Sequence, residues 1–333
     1  MDTTVFTICT PVHNDTNYLP YLFKSLEQQT YSNWNIVIVD DASKDKPLNY
    51  IQEQDIIDNS KITTFRYERN VGPFIARKKA LSLSKGDYIL CIDADDELTS
   101  KDTLDKLNSL IVSYSPEVIM FNMTRDLTSN EPFIDYEHIF KTNNGFIKKS
   151  EILQAFVSTY SLNNLASKAI KRELFSTNEI KKHFVINEDR LEVFDILKKA
   201  DSFYLTNELF YYYRKNETST TESQPTIDYF EQITAIEQII HCFAVDHNLK
   251  TNEELSLYLK AINGPILGLS KQRKWKEVKQ DYIAISENAF LQKAYAHYNK
   301  NISIVPRTAI YLLCNKHLIL CYLLNLLRNF INK

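Results

Sequence analysis

The chain has 333 residues, room for one large domain or two ordinary ones, and 44% of them are hydrophobic, as in a globular protein with a substantial core. A net charge of −3 excludes the overall basic balance on which nucleic-acid binding rests. Glycine is scarce at 5 residues, and no low-complexity tract or internal repeat interrupts the chain.

In chain order, "TVFTICTP" is a β-branched, apolar run that Pro11 ends, hence a strand running into a loop. Residues 17–29 place Leu19, Leu22, Phe23 and Leu26 at helical spacing, with Asn14, Asp15, Thr16 or Asn17 available as N-cap. "WNIVIVDDAS" is a buried strand ending in two acids, residues 47–58 read as a helix, and "KITTFRYER" reads as a strand. "NVGPFIARKKALSLSKG" is a turn and a helix that stops at Gly86, and "DYILCIDADDE" is a fourth strand.

Beyond residue 100 the rhythm changes. A helix over 102–113, a strand over 117–123, a polar stretch over 124–146 and helices near 149–159 and 187–200 are expected. "DSFYLTNELFYYYRKNETSTT" reads as strand and turn, and residues 226–300 as largely helical. A boundary near 222 divides the chain into 1–222 and 223–333.

Strands alternating with helices imply an α/β fold with a mostly parallel, doubly wound sheet, whose ligands bind beyond the carboxyl ends of the strands. Three strand ends carry Thr10-Pro11, Asp40-Asp41 and Asp93-Ala94-Asp95, which should converge on one rim. Four carboxylates, Asp93, Asp95, Asp96 and Glu97, fall within five positions and repel one another unless a cation meets them. In an extended chain Asp93 and Asp95 face the same side, an oxygen pair suited to Mg²⁺ or Mn²⁺ bound to phosphate. The plain alternative is a solvated acidic turn before the next helix.

"TICTPVHN", "LFKSLEQQTYSNWNIVIVDDASKD", "RNVGPFIARKKALSLSKGDYILCIDADDE" and "INEDRLEVFDIL" follow in this order. Together they resemble the family 2, GT-A fold, inverting glycosyltransferases, particularly bacterial enzymes of capsule, exopolysaccharide or cell-wall synthesis. The resemblance covers roughly residues 4–222 and leaves a C-terminal helical region beyond it.

The resemblance implies a nucleotide-sugar donor, UDP-linked, a Mn²⁺ or Mg²⁺ cofactor, and a glycan or lipid-linked saccharide as acceptor. Thr10, Pro11 and His13 correspond to the segment lining the base, and Asp41 to the residue pairing with a uracil ring. Asp40 would lie behind it or near the ribose. Arg77 corresponds to the arginine of the family's "ARN", although Lys78 stands here where Asn is usual. Asp93 and Asp95 correspond to the D-x-D, Asp93 towards the ribose and Asp95 the better metal ligand. Glu188 and Asp189 correspond to the "ED" pair, with Asp189 as catalytic base. Arg214 is the candidate diphosphate contact, and Thr218 to Thr221 a candidate flap. Asn70 and Gly72 shape a turn, and Lys168 matches a recurrent position without an assignable chemistry.

Two rival readings differ in class. A haloacid-dehalogenase-like phosphatase would carry its D-x-D on the first strand rather than the fourth. A degenerate GT-A scaffold, binding a partner glycosyltransferase or a glycan without catalysis, would lack one of the acidic motifs. The five cysteines are scattered without a CxxC, and the opening residues lack a basic segment and a long apolar run. Both point to the cytoplasm. In the tail, Leu318–Leu324 is too short to span a bilayer at about 20 residues. Three readings of residues 307–333 stay open: a buried terminal helix, a homo-oligomer contact, or peripheral contact with the inner face of the membrane.

Overall fold

The computed structural model describes residues 3–129, 131–175, 187–215, 227–271, 273–298 and 302–331. Tertiary contacts divide the chain into two compact units. The first comprises Met1–Ile152, Asn163–His183 and Glu192–Thr218; the second comprises Leu153–Leu162, Phe184–Leu191 and Ser219–Lys333.

The first unit opens with β1 (Phe6–Val12), α1 (Leu19–Glu27), β2 (Trp34–Asp40), α2 (Pro47–Glu53), β3 (Ile62–Arg66), α3 (Pro73–Leu83) and β4 (Tyr88–Cys91). β1 lies between β2 and β4, parallel to both, with Val12 opposite Asp40 and Cys9 opposite Cys91. The three strand ends that the sequence pattern marks therefore do meet on one rim. Crossover helices pack on the sheet through their apolar stripes; α1 buries Leu19, Leu22, Phe23 and Leu26. Gly86 is required where the chain turns into β4, because a Cβ there would lie 2.7 Å from the backbone nitrogen of Thr7 and from the carbonyl oxygen of Val5.

The remaining elements are β5 (Glu97–Leu98), α4 (Thr103–Tyr114), β6 (Val118–Thr124), α5 (Tyr136–Phe140), β7 (Asn144–Ile147), α6 (Lys149–Ser158), β8 (Lys168–Lys171), α7 (Glu188–Lys199) and β9 (Phe203–Tyr212). The strand order is β3-β2-β1-β4-β8-β6-β9-β5, with β7 paired to β9. β8 runs antiparallel to both β4 and β6, while β6 and β9 are parallel. The result is a mixed α/β sheet whose first four strands form the doubly wound half.

Several elements depart from the sequence reading, each for a local reason. α1 starts at Leu19 rather than near 17, because the polar residues ahead of it are spent on loop contacts. The Asn14 amide donates to Ser43 Oγ, and the Thr16 amide to Asp45. α2 stops at Glu53, where the Gln54 side chain accepts the amides of Ile56 and Ile57. β4 ends at Cys91, and Asp93–Asp96 close a turn through the Asp96 amide and the Asp93 carbonyl, 3.1 Å apart. The same-side argument for an extended Asp93-Ala94-Asp95 therefore fails. The polar stretch 124–146 contains α5 and β7, too short to show a period.

In the second unit, α8 (Ile227–Asp246), α9 (Asn252–Leu269), α10 (Trp275–Ser286), α11 (Ala289–His297), α12 (Ile304–Cys314) and α13 (Leu318–Ile331) enclose their own core. Tyr258, Ile262, Val278, Tyr282, Leu291 and Leu313 lie at its centre, fully buried. The tail read as one terminal helix is two, broken at Lys316, whose φ is 61°. Among the described residues no helix is long and apolar enough to cross a membrane.

Candidate active site

The rim is built from three loops. His13, just past β1, donates from Nδ1 to the Asp41 carbonyl, 2.7 Å away, and its Nε2 lies 3.1 Å from the Asn70 side-chain amide nitrogen. Asp41 is buried, and its two carboxylate oxygens accept the backbone amides of Val71 and Gly72 at 2.7 and 2.8 Å. The acid expected to face a base thus clamps the 70–72 turn, where Gly72 has φ 87°. Asp40 is fully buried, pairs with Arg66 and accepts the Ser43 amide, which ties β2 to β3. Thr10 is buried, and its hydroxyl has no hydrogen-bond partner among the described residues; Pro11 beside it is partly exposed.

The turn at 70–72 launches α3, with Pro73 in its first turn. Arg77 is buried on that helix, and its guanidinium lies 3.8 Å from the half-exposed carboxylate of Asp93. Lys78 forms a 2.6 Å ion pair with buried Glu192 on α7. This explains what replaces the expected asparagine: a charge with its own counter-charge.

The acidic turn is held from behind. Tyr211 on β9 donates its hydroxyl to Asp96 at 2.6 Å and accepts the Asp93 amide at 3.2 Å. Arg214 donates its backbone amide to Asp96 at 2.8 Å, its Nε to the Asp95 carbonyl at 2.9 Å and its Nη2 to Glu97 at 2.7 Å. Tyr21 and Tyr212 flank its guanidinium at 4.7 and 5.2 Å. Arg214 is therefore a brace of the turn.

Charge accumulates at the open side. Burial, then the charge of Asp93, pushes the Asp96 carboxyl up to about 8. Burial, then the charge of Asp95, pushes Asp15 up to about 6. The repulsion that adds to burial at both acids is of the kind a bound cation relieves. Among the described residues no group of three or more His, Cys, Asp or Glu side chains is placed to hold a metal ion. Asp93 and Asp95 would leave most of a coordination shell to water and phosphate oxygens, as Mg²⁺ and Mn²⁺ accept.

Glu188 and Asp189 open α7, partly exposed, directly after Asn187 with φ 55°. The next residue, Arg190, is buried in the helical unit against Glu237 at 2.8 Å. Lys168 is fully buried and donates to the Asn164 carbonyl at 2.5 Å, a support for the chain entering β8. Thr218 to Thr221 lie outside the described residues. Sequence reasoning missed Asp15 and Glu192, whose spacing carries no signal. It also missed the role of Tyr211, for which the tyrosine run was a visible hint.

A parallel β-α-β half with acids at its carboxyl rim and a braced acidic turn defines a nucleotide-binding fold of the GT-A kind. The profile of glycosyl transferase family 2 matches residues 7–173, and the chain belongs to that family. A teichuronic acid biosynthesis glycosyltransferase, TuaG, of Bacillus subtilis is 34% identical over 99 residues, 30% of this chain and 38% of that protein. The fold resembles residues 1–349 of S. aureus TarS, solved with UDP-GlcNAc: TM-score 0.67, 19% identity, 96% of this chain and 90% of that one. A mannosyltransferase of Pyrobaculum calidifontis, solved with GDP-Man and Mn²⁺, aligns with TM-score 0.51 and 14% identity over 100% of this chain and 89% of that one.

Proposed function

We propose that the protein is a metal-assisted, inverting glycosyltransferase that moves a sugar from a UDP-sugar to a hydroxyl of a bacterial wall or capsule glycan, free or lipid-linked. The observation that carries this reading is the braced acidic turn, where Asp93 and Asp95 stand at the open rim and repel their neighbours. Asp95 and Asp93 would hold Mn²⁺ or Mg²⁺, which when bound supplies positive charge to the departing diphosphate. UDP as the donor nucleotide is supported by TarS, solved with UDP-GlcNAc, and by the family resemblance; the GDP-Man complex of the mannosyltransferase marks the rival donor.

The chain's own groups do the rest. The loop of Thr10, Pro11 and His13, fixed by Asp41 and Asn70, forms the wall for the base. Arg77 holds Asp93 in place. Asp189, with Glu188 in the same turn, takes the proton of the acceptor hydroxyl while its oxygen attacks the anomeric carbon and the sugar–diphosphate bond breaks. One displacement inverts the anomeric centre and needs no second carboxyl to protonate the leaving group.

Calorimetric titration of UDP and of GDP, with Mn²⁺ and with EDTA, tests the donor site. UDP binding that requires the metal and is lost in Asp95→Asn is the expected result. Metal-independent binding, or preference for GDP, would sink the respective half of the proposal. Asp189→Asn should bind UDP normally and lower transfer about 10²–10⁴-fold.

A further inference from the structure

α13 carries its polar side chains inward and its apolar ones outward. Asn325 is fully buried and donates to the Tyr282 hydroxyl at 3.1 Å; Arg328 donates to Asn263 at 3.1 Å, and Asn329 to Ser270 at 3.0 Å. These bonds fix the rotation of the helix. The opposite arc presents Ile319, Leu320, Leu323, Leu327, Phe330 and Ile331, between 47% and 81% exposed. At 100° per residue these six side chains fall within an arc of about 120° that contains no polar residue. An outward apolar arc held in place by inward polar bonds is a surface made to be covered.

The charge balance of the segment that carries the arc selects the cover. Residues 288–333 carry four lysines, two arginines and not one acid, leaving 33 basic groups against 42 acidic ones in the rest of the chain. A second copy would bring two uniformly positive segments together. An anionic lipid surface meets both features, the apolar arc and the positive charge. Arg307 on α12 is exposed, and exposed Lys316 at the break between the helices lies 3.5 Å from exposed Glu287. We propose that α13 docks the protein on an anionic membrane, lying in the interface with its apolar arc among the acyl chains. The inference is independent of the donor site.

Flotation of the full chain with vesicles of phosphatidylglycerol and phosphatidylcholine, against phosphatidylcholine alone, tests it. The wild type should float with the anionic vesicles only and be released by salt. Leu323→Glu with Leu327→Glu should abolish flotation, and Arg307→Glu with Lys316→Glu should weaken it by at least about five-fold per charge. The second pair sits on exposed positions and keeps the test valid should the first disturb folding. Equal binding to neutral vesicles, or flotation of neither kind, overturns the proposal. So does a dimer in light scattering that Leu323→Glu with Leu327→Glu converts to monomer, which assigns the arc to a second copy.

Discussion

Two buried acids in this molecule, Asp96 in the sheet unit and Glu254 in the helical unit, are both pushed up to about 8, one beside an open rim and one inside a packed core. Around Asp96 the repelling partners, Asp93 and Asp95, stand at an open rim, and the compensating donors are Tyr211 and the Arg214 amide. Around Glu254 the repelling partner is Glu237, itself fully buried and bound to Arg190, and the hydrogen-bond partner is His241 at 2.7 Å. A solution cation has access to the first arrangement and none to the second. Similar carboxyl energetics thus occur beside an open rim, where the metal is proposed to bind, in one unit and inside a packed core in the other.

The largest expected effect breaks the closed arrangement. Arg190 and Glu237 are 1% and 0% exposed, so neither charge has water to fall back on. Arg190→Ala should cost about 3–5 kcal/mol in urea unfolding, because it strands Glu237 without its counter-ion. Replacing both, as Arg190→Met with Glu237→Leu, should recover most of that loss. Arg214→Ala, which cuts a partly exposed pair with Glu97, should cost far less stability and show instead as weaker nucleotide binding. Equal stability losses in the two arginine variants would mean that the open and the closed arrangements do not differ.

A smaller effect sharpens it through pH. Glu254 is raised by burial first and by Glu237 second, with Arg190 and Lys293 opposing; His241 beside it is lowered by burial and by Lys293. The folded state therefore binds more protons at Glu254 than the unfolded state between about 4.5 and about 8, and stability falls as pH rises through that window. His241 acts in the opposite sense, its contribution falling as pH drops through the ordinary histidine range. Asp96 shares the sign of Glu254, so the difference between variant and wild type is the readable quantity. Glu254→Gln keeps a hydrogen bond to His241 and should lessen the decline by on the order of 1–3 kcal/mol. Parallel melting-temperature curves against pH for the two proteins would refute it.

Much of the rim was legible in the sequence, because parallel strands align their carboxyl ends and the acids sit where the strands stop. β1, β2 and β4 meet as their apolar runs require, and Asp93 and Asp95 fall at the edge. What sequence could not give was which polar groups bind each other across long separations. Asp41 is committed to the amides of residues 71 and 72, thirty or so positions later, and Arg214 to a turn more than a hundred positions earlier. At the tail, periodicity left the three readings of residues 307–333 open. α13 has the apolar content of a buried helix, and only the inward bonds of Asn325 and Arg328 reveal that its apolar arc faces out.

The finest test of the comparison is one hydroxyl. Tyr211 is fully buried, donates to Asp96 and accepts from the Asp93 amide, so it joins the carboxyl that organises the turn to the residue that stands at the rim. Tyr211→Phe keeps the ring and its packing but removes both bonds. Unfolding free energy should fall by about 1 kcal/mol, the net value of a hydrogen bond lost in a buried network. The proposed metal-dependent nucleotide binding should weaken by less than about ten-fold, since Asp93 and Asp95 themselves remain. A loss as complete as that of Asp95→Asn would mean that the turn has no structure of its own without the tyrosine. No change in either measurement would mean that Arg214 alone sets its shape, through the Asp95 carbonyl, the Glu97 carboxylate and its amide bond to Asp96.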